Sequence, residues 1–422
     1  MNTTGIRALD ATTFDAIRGS TRDGDERRAE AEARALLGFL SEPGDVVLGR
    51  AVAAVGARAT VDLIVDGAGP SDLASALGRD GDATSIQQAV QAFKRWQPRL
   101  DDGEFARSLV QAARVGARLV VPGDAEWPWR LDDLGAAAPL GLWVRGRPGA
   151  LAEAEAAISL VGARAATGYG QHVTAEASAG LVDRGFAIIS GGAYGIDGTA
   201  HRAALASDGT TIAFLAGGID RYYPSGHETL LSRIAETGAV YSEVACGTSP
   251  SKWRFLQRNR LIAATGDATV VLEAGLRSGS LNTASHATDL GRPLGAVPGP
   301  VTSPASAGCH RLFRERDATC VVDAAQMAEL ASRIGTSIDA RAVAGTGTAG
   351  DAGPTRPAAE PGPDGVRVLD ALSTRSARSV DDIARLSGMS PGHVMAVLPG
   401  LEAEGLARRD VGGLWTRRVV RR

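Results

Sequence analysis

Along this chain of 422 residues, stretches with apolar positions at helical spacing give way to short, nearly continuous apolar runs. From Arg27 to about Arg118 only helical spacing occurs. In the segment 27–40, Ala33, Leu36, Leu37 and Leu40 share one face. The segments starting at Ile86 and Phe105 repeat that style. A helical domain over 27–117, of the sterile-alpha-motif or helix-hairpin-helix-like kind, is predicted. Residues 1–26 are polar and lack a period, which predicts a disordered N-terminus.

The pattern changes at residue 118. Leu119–Val121 and Leu140–Val144 are two short apolar runs joined by a loop rich in Trp and Pro. Further runs follow at 158–162, 186–192, 210–218, 239–244, 268–274 and 293–299. Helical patterns such as 169–185 and 198–209 lie between them. Apolar strands alternating with amphipathic helices predict an α/β fold with a Rossmann-like, doubly wound parallel sheet over 118–334. Its ligand site belongs at the carboxyl ends of the strands. Residues 335–364 are rich in Ala, Gly, Pro and Thr without apolar period, as a flexible linker would be. Three helical patterns follow, with starts marked by Ser379 and Asp382 and by Ser390-Pro391. A hairpin turning at Gly412-Gly413 completes a winged helix over 365–422.

The net charge of −3 points to no particular partner. Its distribution says more. Residues 365–422 carry ten Arg and six Asp or Glu, a local +4, which leaves about −7 on the rest. Cys246, Cys309 and Cys320 form an odd, sparse set without CxxC spacing, as reduced thiols do. The histidines are scattered, so no metal site is expected. Neither a leader pattern nor a membrane-length apolar run is present, and a cytoplasmic location is expected.

Several strand ends carry residues suited to an anion. The first ends in Gly162-Ala163-Arg164, just before a helix opening near Gly168. A glycine turn feeding a helix presents backbone N–H groups, and an arginine there can fork onto a phosphate. A turn glycine beside a surface arginine is the purely structural reading. The second strand ends in Gly191, Gly192, Ala193, Tyr194 and Gly195, where Tyr194 could stack on a base. Asp197 beyond it equally suits a helix cap. The third ends in Gly217-Gly218, with Tyr222 and Tyr223 close behind. Residues 253–260 interleave Trp253 and Phe255 with Arg254, Arg258 and Arg260, the mixture that single-stranded nucleic acid requires. A solvated basic helix face would read the same way. Ser278-Gly279-Ser280 opens another helix and offers a further anion cradle.

The ordered set VGAR, SGGAYGID with His201, LAGGID with YYP, RNR, SGSLNTASHA and PGP resembles the DprA/Smf family of DNA-processing proteins. The resemblance spans about Leu119 to Ala325 and includes the D-x-x-W-P-x-x-L stretch from Asp124 to Leu131. It implies a non-enzymatic protein without cofactor, which binds and protects incoming single-stranded DNA and helps load the RecA recombinase in transformation and homologous recombination. It also implies a homodimer. The implied DNA-binding positions are Gly162, Arg164, Gly191, Gly192, Tyr194, Gly195, Arg258, Asn259, Arg260, Ser278, Gly279 and Ser280. Two departures stand out. Tyr194 occupies a position that is often basic, and Cys309-His310 replaces a frequent Thr-Asn.

The alternative is a nucleotide-processing enzyme of the phosphoribohydrolase-like Rossmann group. PGPVTSPAS here lacks that group's PGGxGTxxE signature, although Glu243 and Glu273 offer carboxylates. A dinucleotide-dependent oxidoreductase would need GxGxxG where the chain has GARAATGYG. A regulator acting on duplex DNA would have to rely on the basic wing of Arg408, Arg409, Arg417 and Arg418.

Overall fold

Seven helices precede the sheet in the computed structural model: α1 (Ala11–Arg18), α2 (Asp25–Leu40), α3 (Val46–Val55), α4 (Ala57–Val65), α5 (Pro70–Ala76), α6 (Ala83–Trp96) and α7 (Asp102–Arg114). Described are residues 11–18, 24–65, 69–77 and 83–332, and towards the C-terminus 365, 368–369, 371–374, 376–387, 389, 391–403, 405–410 and 413–418. The expectation of disorder over 1–26 needs correction. Within that segment α1 buries Phe14 and Ile17 completely, and Arg18 forks onto Asp124 at 2.6 and 3.0 Å. Asp45 starts α3 by accepting the backbone N–H groups of Val47 and Leu48, as an N-cap carboxylate does. The predicted face of α2 is the buried one. Leu36, Leu37 and Leu40 join Trp96, Phe105 and Leu109 in a core that continues into Leu119, Trp143, Leu231 and Val240 of the α/β region.

The apolar runs become strands of one sheet. These are β1 (Arg118–Val120), β2 (Leu142–Gly146), β3 (Ala157–Gly162), β4 (Ala187–Ser190), β5 (Thr211–Leu215), β6 (Ala239–Ser242), β7 (Ala268–Glu273), β8 (Leu294–Ala296) and β9 (Thr319–Cys320). Their order is β1-β2-β6-β5-β4-β3-β7-β8-β9. The strands from β3 to β9 pair in parallel. β2 runs antiparallel to both β1 and β6, so the sheet is mostly rather than wholly parallel. The β1–β2 connection contains a short 3₁₀ segment, Trp129–Ala137, and no crossover α-helix, and without a crossover consecutive strands do not pair in parallel.

Alternating strand residues supply two layers. Ile158, Leu160, Val270 and Leu272 face α8 (Gly168–Val182), α9 (Ile196–Ala206) and later α14 (Ala324–Ser332). Ala157, Val161, Ile189, Phe214 and Val271 face the other layer. That layer contains α11 (Lys252–Thr265), α12 (Ser280–Asp289) and α13 (Ala307–Glu315), while α10 (Glu228–Thr237) covers the sheet towards β2 and β6. The chain leaves β3 for β4 on one side and returns as β7 on the other. That reversal opens a crevice at the carboxyl ends of β3 and β7.

The chain divides into two compact units, Met1–Val343 and Ala344–Arg422. In the second, helices Val380–Ser387 and Pro391–Ala403 and a hairpin of Ala407–Arg409 with Trp415–Arg417 enclose Val368, Leu372, Ile383, Val394, Leu398 and Trp415. Ser379 accepts the Asp382 N–H at 3.1 Å, the predicted helix start. The proposed linker at 335–364, and the serine and glycine signals at Ser390 and Gly412, lie outside the described residues. Among the described residues no helix is long and apolar enough to cross a membrane, and no group of His, Cys, Asp or Glu could hold a metal ion.

Candidate nucleic-acid interface

The crevice is a cavity of about 830 Å³ at the carboxyl ends of the strands. Its wall begins where β3 ends. A side chain at Gly162 would strike Ile196 and the Glu273 carbonyl. The backbone therefore passes close to β7, and Ala163 donates to the Glu273 carbonyl at 2.7 Å. The Glu273 carboxylate is buried and accepts both the N–H and the hydroxyl of Thr167, at 2.8 and 2.6 Å. This clamp fixes the turn from β3 to α8 and leaves Arg164 exposed at the cavity.

The second glycine loop packs behind that turn. Gly195 has φ +76°, and a Cβ there would meet the carbonyls of Ala163 and Arg164, so only glycine fits. At Gly191 the Arg258 guanidinium occupies the space a side chain would need. Arg258 is only 6% exposed. Its Nη1 donates to the Phe214 carbonyl at 2.9 Å, and its Nε is buried without a hydrogen-bond partner. Burial pushes its pKa down to about 10, with Asp197 opposing the shift, so it remains a cation at neutral pH. Burial likewise raises the Asp197 pKa, against the pull of Arg258 and backbone N–H groups. Asp197 accepts from Gly191 at 3.2 Å.

Phe255 lies between the cations. Arg164 sits 4.9 Å from its ring centre and Arg258 5.8 Å, and the Tyr223 ring is 5.8 Å away. Lys252 and Arg277, both exposed, complete the rim. On the far wall Ser278 and Ser280 share a hydroxyl hydrogen bond of 2.8 Å. The Asn259 amide bridges to the Gly279 carbonyl and the Asn282 side chain, at 3.3 and 3.2 Å. Four cations thus surround the cavity against one carboxylate, Asp197.

Of the expected positions, Gly162, Arg164, Arg258, Asn259, Ser278, Gly279 and Ser280 line this cavity. Gly191 and Gly195 act from behind, making room for Arg258 and the Arg164 turn. Gly192 has φ +66° and packs towards Leu231. Tyr194 is exposed beside the cavity, its ring edge-on to His227 at 4.7 Å. Arg260 points away altogether. It forks onto Glu243 at 2.7 Å through both terminal nitrogens and caps the Ala137 carbonyl. Successive helix residues are about 100° apart, so Arg258 and Arg260 of one helix cannot serve one pocket. Lys252 and Arg277 were not expected at the site, and Phe255 and Tyr223, noted at the basic segment and the third strand end, were not among the expected DNA-binding positions. The i, i+3, i+4 series Lys252, Phe255, Leu256 and Asn259 held the signal for Lys252 and Phe255.

Other motif residues are structural. His201 hydrogen-bonds Thr211 at 2.7 Å, and burial drives its pKa down to about 3, so it stays neutral. Asp124 holds Arg18 and the Val121 N–H. Cys309 is buried against the Val271 carbonyl, its thiol pushed up to about 11 by burial. His310 meets the Gly299 carbonyl at 3.0 Å.

Residues 118–332 match the model of the family described as DNA recombination-mediator protein A, and residues 352–413 that of the DprA winged helix domain. The putative DNA processing protein DprA of Mycobacterium tuberculosis is 43% identical over 374 residues, 84% of this chain and 88% of the relative. The DNA processing protein DprA of Streptococcus pneumoniae is 38% identical over 189 residues, 45% of this chain and 66% of its own length. The X-ray structure of the Streptococcus pneumoniae protein superposes with a TM-score of 0.55 at 28% identity, covering 71% of this chain and 97% of the other.

Proposed function

Because this chain belongs to the DNA recombination-mediator protein A family, we propose that its cavity at the sheet end binds single-stranded DNA. The observation that carries this reading is the exposed Arg164 and buried Arg258 on either side of Phe255, in a cavity with four cations and one carboxylate. Guanidinium groups grip phosphate oxygens with paired hydrogen bonds. An aromatic face accepts any base, so binding of this kind tolerates sequence. Arg258 sits in low dielectric with its charge intact, which strengthens its attraction for a phosphate.

The protein acts in this reading as a binding factor in the cytoplasm and not as an enzyme. Glu273 is spent on Thr167 and Glu243 on Arg260, and Asp197 is tied to backbone N–H groups. None of the three is placed to activate water. Protection of incoming DNA, loading of RecA and a homodimeric state extend the reading through the family resemblance. Titration of a labelled oligonucleotide tests the binding. Affinity should fall linearly with log salt, with a slope of roughly −0.7 per phosphate neutralised. A flat salt response, or release of base from nucleoside monophosphates, would overturn the reading. Sedimentation with and without RecA tests the two protein partners.

A further inference from the structure

The cations of α11 do not stop at the cavity. Lys252 stands on its rim, and two residues on Arg254 turns towards the N-terminal helices. Arg254 forks onto Glu42 through Nε and Nη2 at 3.0 and 2.8 Å, and its Nη1 caps the Ser249 carbonyl at 2.6 Å. Glu42 lies in the turn between α2 and α3 and also pairs with Arg99, just past α6. The last turn of α6 carries Lys94 and Arg95, and Arg95 pairs with Asp45 at 2.9 Å. A row of four cations therefore leads from the cavity: Lys252, Arg254, Arg99 and Arg95.

The two carboxylates along this row differ. Asp45 is fixed by the N–H groups of Val47 and Leu48 and by the Trp96 indole. Among the described residues, the side-chain hydrogen bonds of Glu42 all go to arginines. Burial favours its protonated form, but Arg254 and Arg99 overcome this and hold its pKa below the ordinary value. Glu42 thus presents two oxygens to two guanidinium groups, as a phosphate would. A partly exposed ion pair is weak, and its side chain is 33% exposed, so it can turn to water once displaced.

We propose that single-stranded DNA filling the cavity continues past Lys252 onto this row, with a phosphate displacing Glu42 from Arg254 and Arg99. The N-terminal helices are then the second segment of the binding site, and Glu42 is its built-in competitor. The proposal rests on the cavity being the DNA site. It is tested with two oligonucleotides, one of about six nucleotides to fill the cavity and one of about 25 to run beyond it, the first within and the second beyond the range of about 4–16 nucleotides known for single-strand sites.

Glu42→Gln should raise affinity for the long oligonucleotide about threefold or more and leave the short one within about twofold, since a competing charge is removed. The double variant R95E/R99E should lower long-oligonucleotide affinity about tenfold with the same small effect on the short one. R184E serves as a control for net charge, because Arg184 precedes β4 at the opposite end of the sheet. It should change neither length appreciably. A gain of affinity in Glu42→Gln cannot arise from a damaged fold. The proposal is overturned if Glu42→Gln leaves the long oligonucleotide unchanged or weakened, or if R95E/R99E weakens both lengths alike. Wild-type protein that binds neither length overturns the cavity reading and this one with it, whereas length-independent variants overturn this one alone.

Discussion

Helix α11 has two faces that use the same residue type in opposite ways. On one face Arg258 reaches the cavity, and among the described residues no carboxylate forms an ion pair with it. On the other Arg260 is forked onto Glu243, while Arg254, one turn before Arg258, is held by Glu42. The first face stores unneutralised charge for a ligand. The second spends its charge on holding the helix against the rest of the molecule. An arginine's role here is decided by which carboxylate the fold brings opposite it, and that carboxylate lies 17 residues away for Arg260 and 212 for Arg254.

The largest effect should come from the structural face. Arg260→Ala leaves Glu243 mostly buried without its cation, and breaking such a pair costs about 3–5 kcal/mol. Chemical denaturation should show that loss, while oligonucleotide affinity of the folded fraction stays near wild type. A stable Arg260→Ala that no longer binds DNA would reverse the assignment of the faces. On the cavity face, Arg258→Ala should weaken single-stranded DNA by about 2–5 kcal/mol, the range for removing one partner of a desolvated charged contact. Gly191→Ala should act in the same direction, because its methyl group displaces the Arg258 guanidinium. If Gly191→Ala binds normally, Arg258 is not the group that grips the ligand.

Arg164→Ala should weaken binding about ten- to a hundredfold, from the loss of about 1.5–3 kcal/mol in a charge-assisted contact. Its melting temperature should hardly move, since Arg164 is exposed and rests on Phe255. Arg164→Lys should recover part of the loss. A large drop in melting temperature would show that this cation belongs with the structural set.

The smallest effect concerns pH. The Glu42 pKa is held below the ordinary 4.5 in the folded protein. A carboxylate of this kind contributes stability above its unfolded pKa and loses it as pH falls through the folded value. Melting temperatures below pH about 4.5 should therefore decline less steeply in Glu42→Gln than in wild type. Identical slopes would show that the Arg254 pair contributes nothing to docking.

The parallel strands β3 to β8 were legible because each is a short, nearly continuous apolar run, the mark of a strand buried on both faces. The glycine loops were legible too, since Gly191 and Gly195 answer to local crowding. The phase of α11 was not. That helix is buried around most of its C-terminal half, from Arg258 to Thr265, so no polar stripe marks which way its arginines point. Phe255 stood in the basic segment but nothing local distinguished it from Trp253. Helix α1 escaped notice because its order depends on distant partners, Leu119 and Asp124, and not on its own short sequence.

That dependence also has a consequence for synthesis. Arg18 meets Asp124 only 106 residues later. At about 5–20 residues per second on the ribosome, roughly 5–20 s pass before its carboxylate is made. Strand β2 waits a comparable time again, since Trp143 pairs with Ser242 of β6. In the first interval α1 lacks its Asp124 partner, and in the second the edge of β2 that will pair with β6 stays open, a window for chaperones that closes only when β6 emerges.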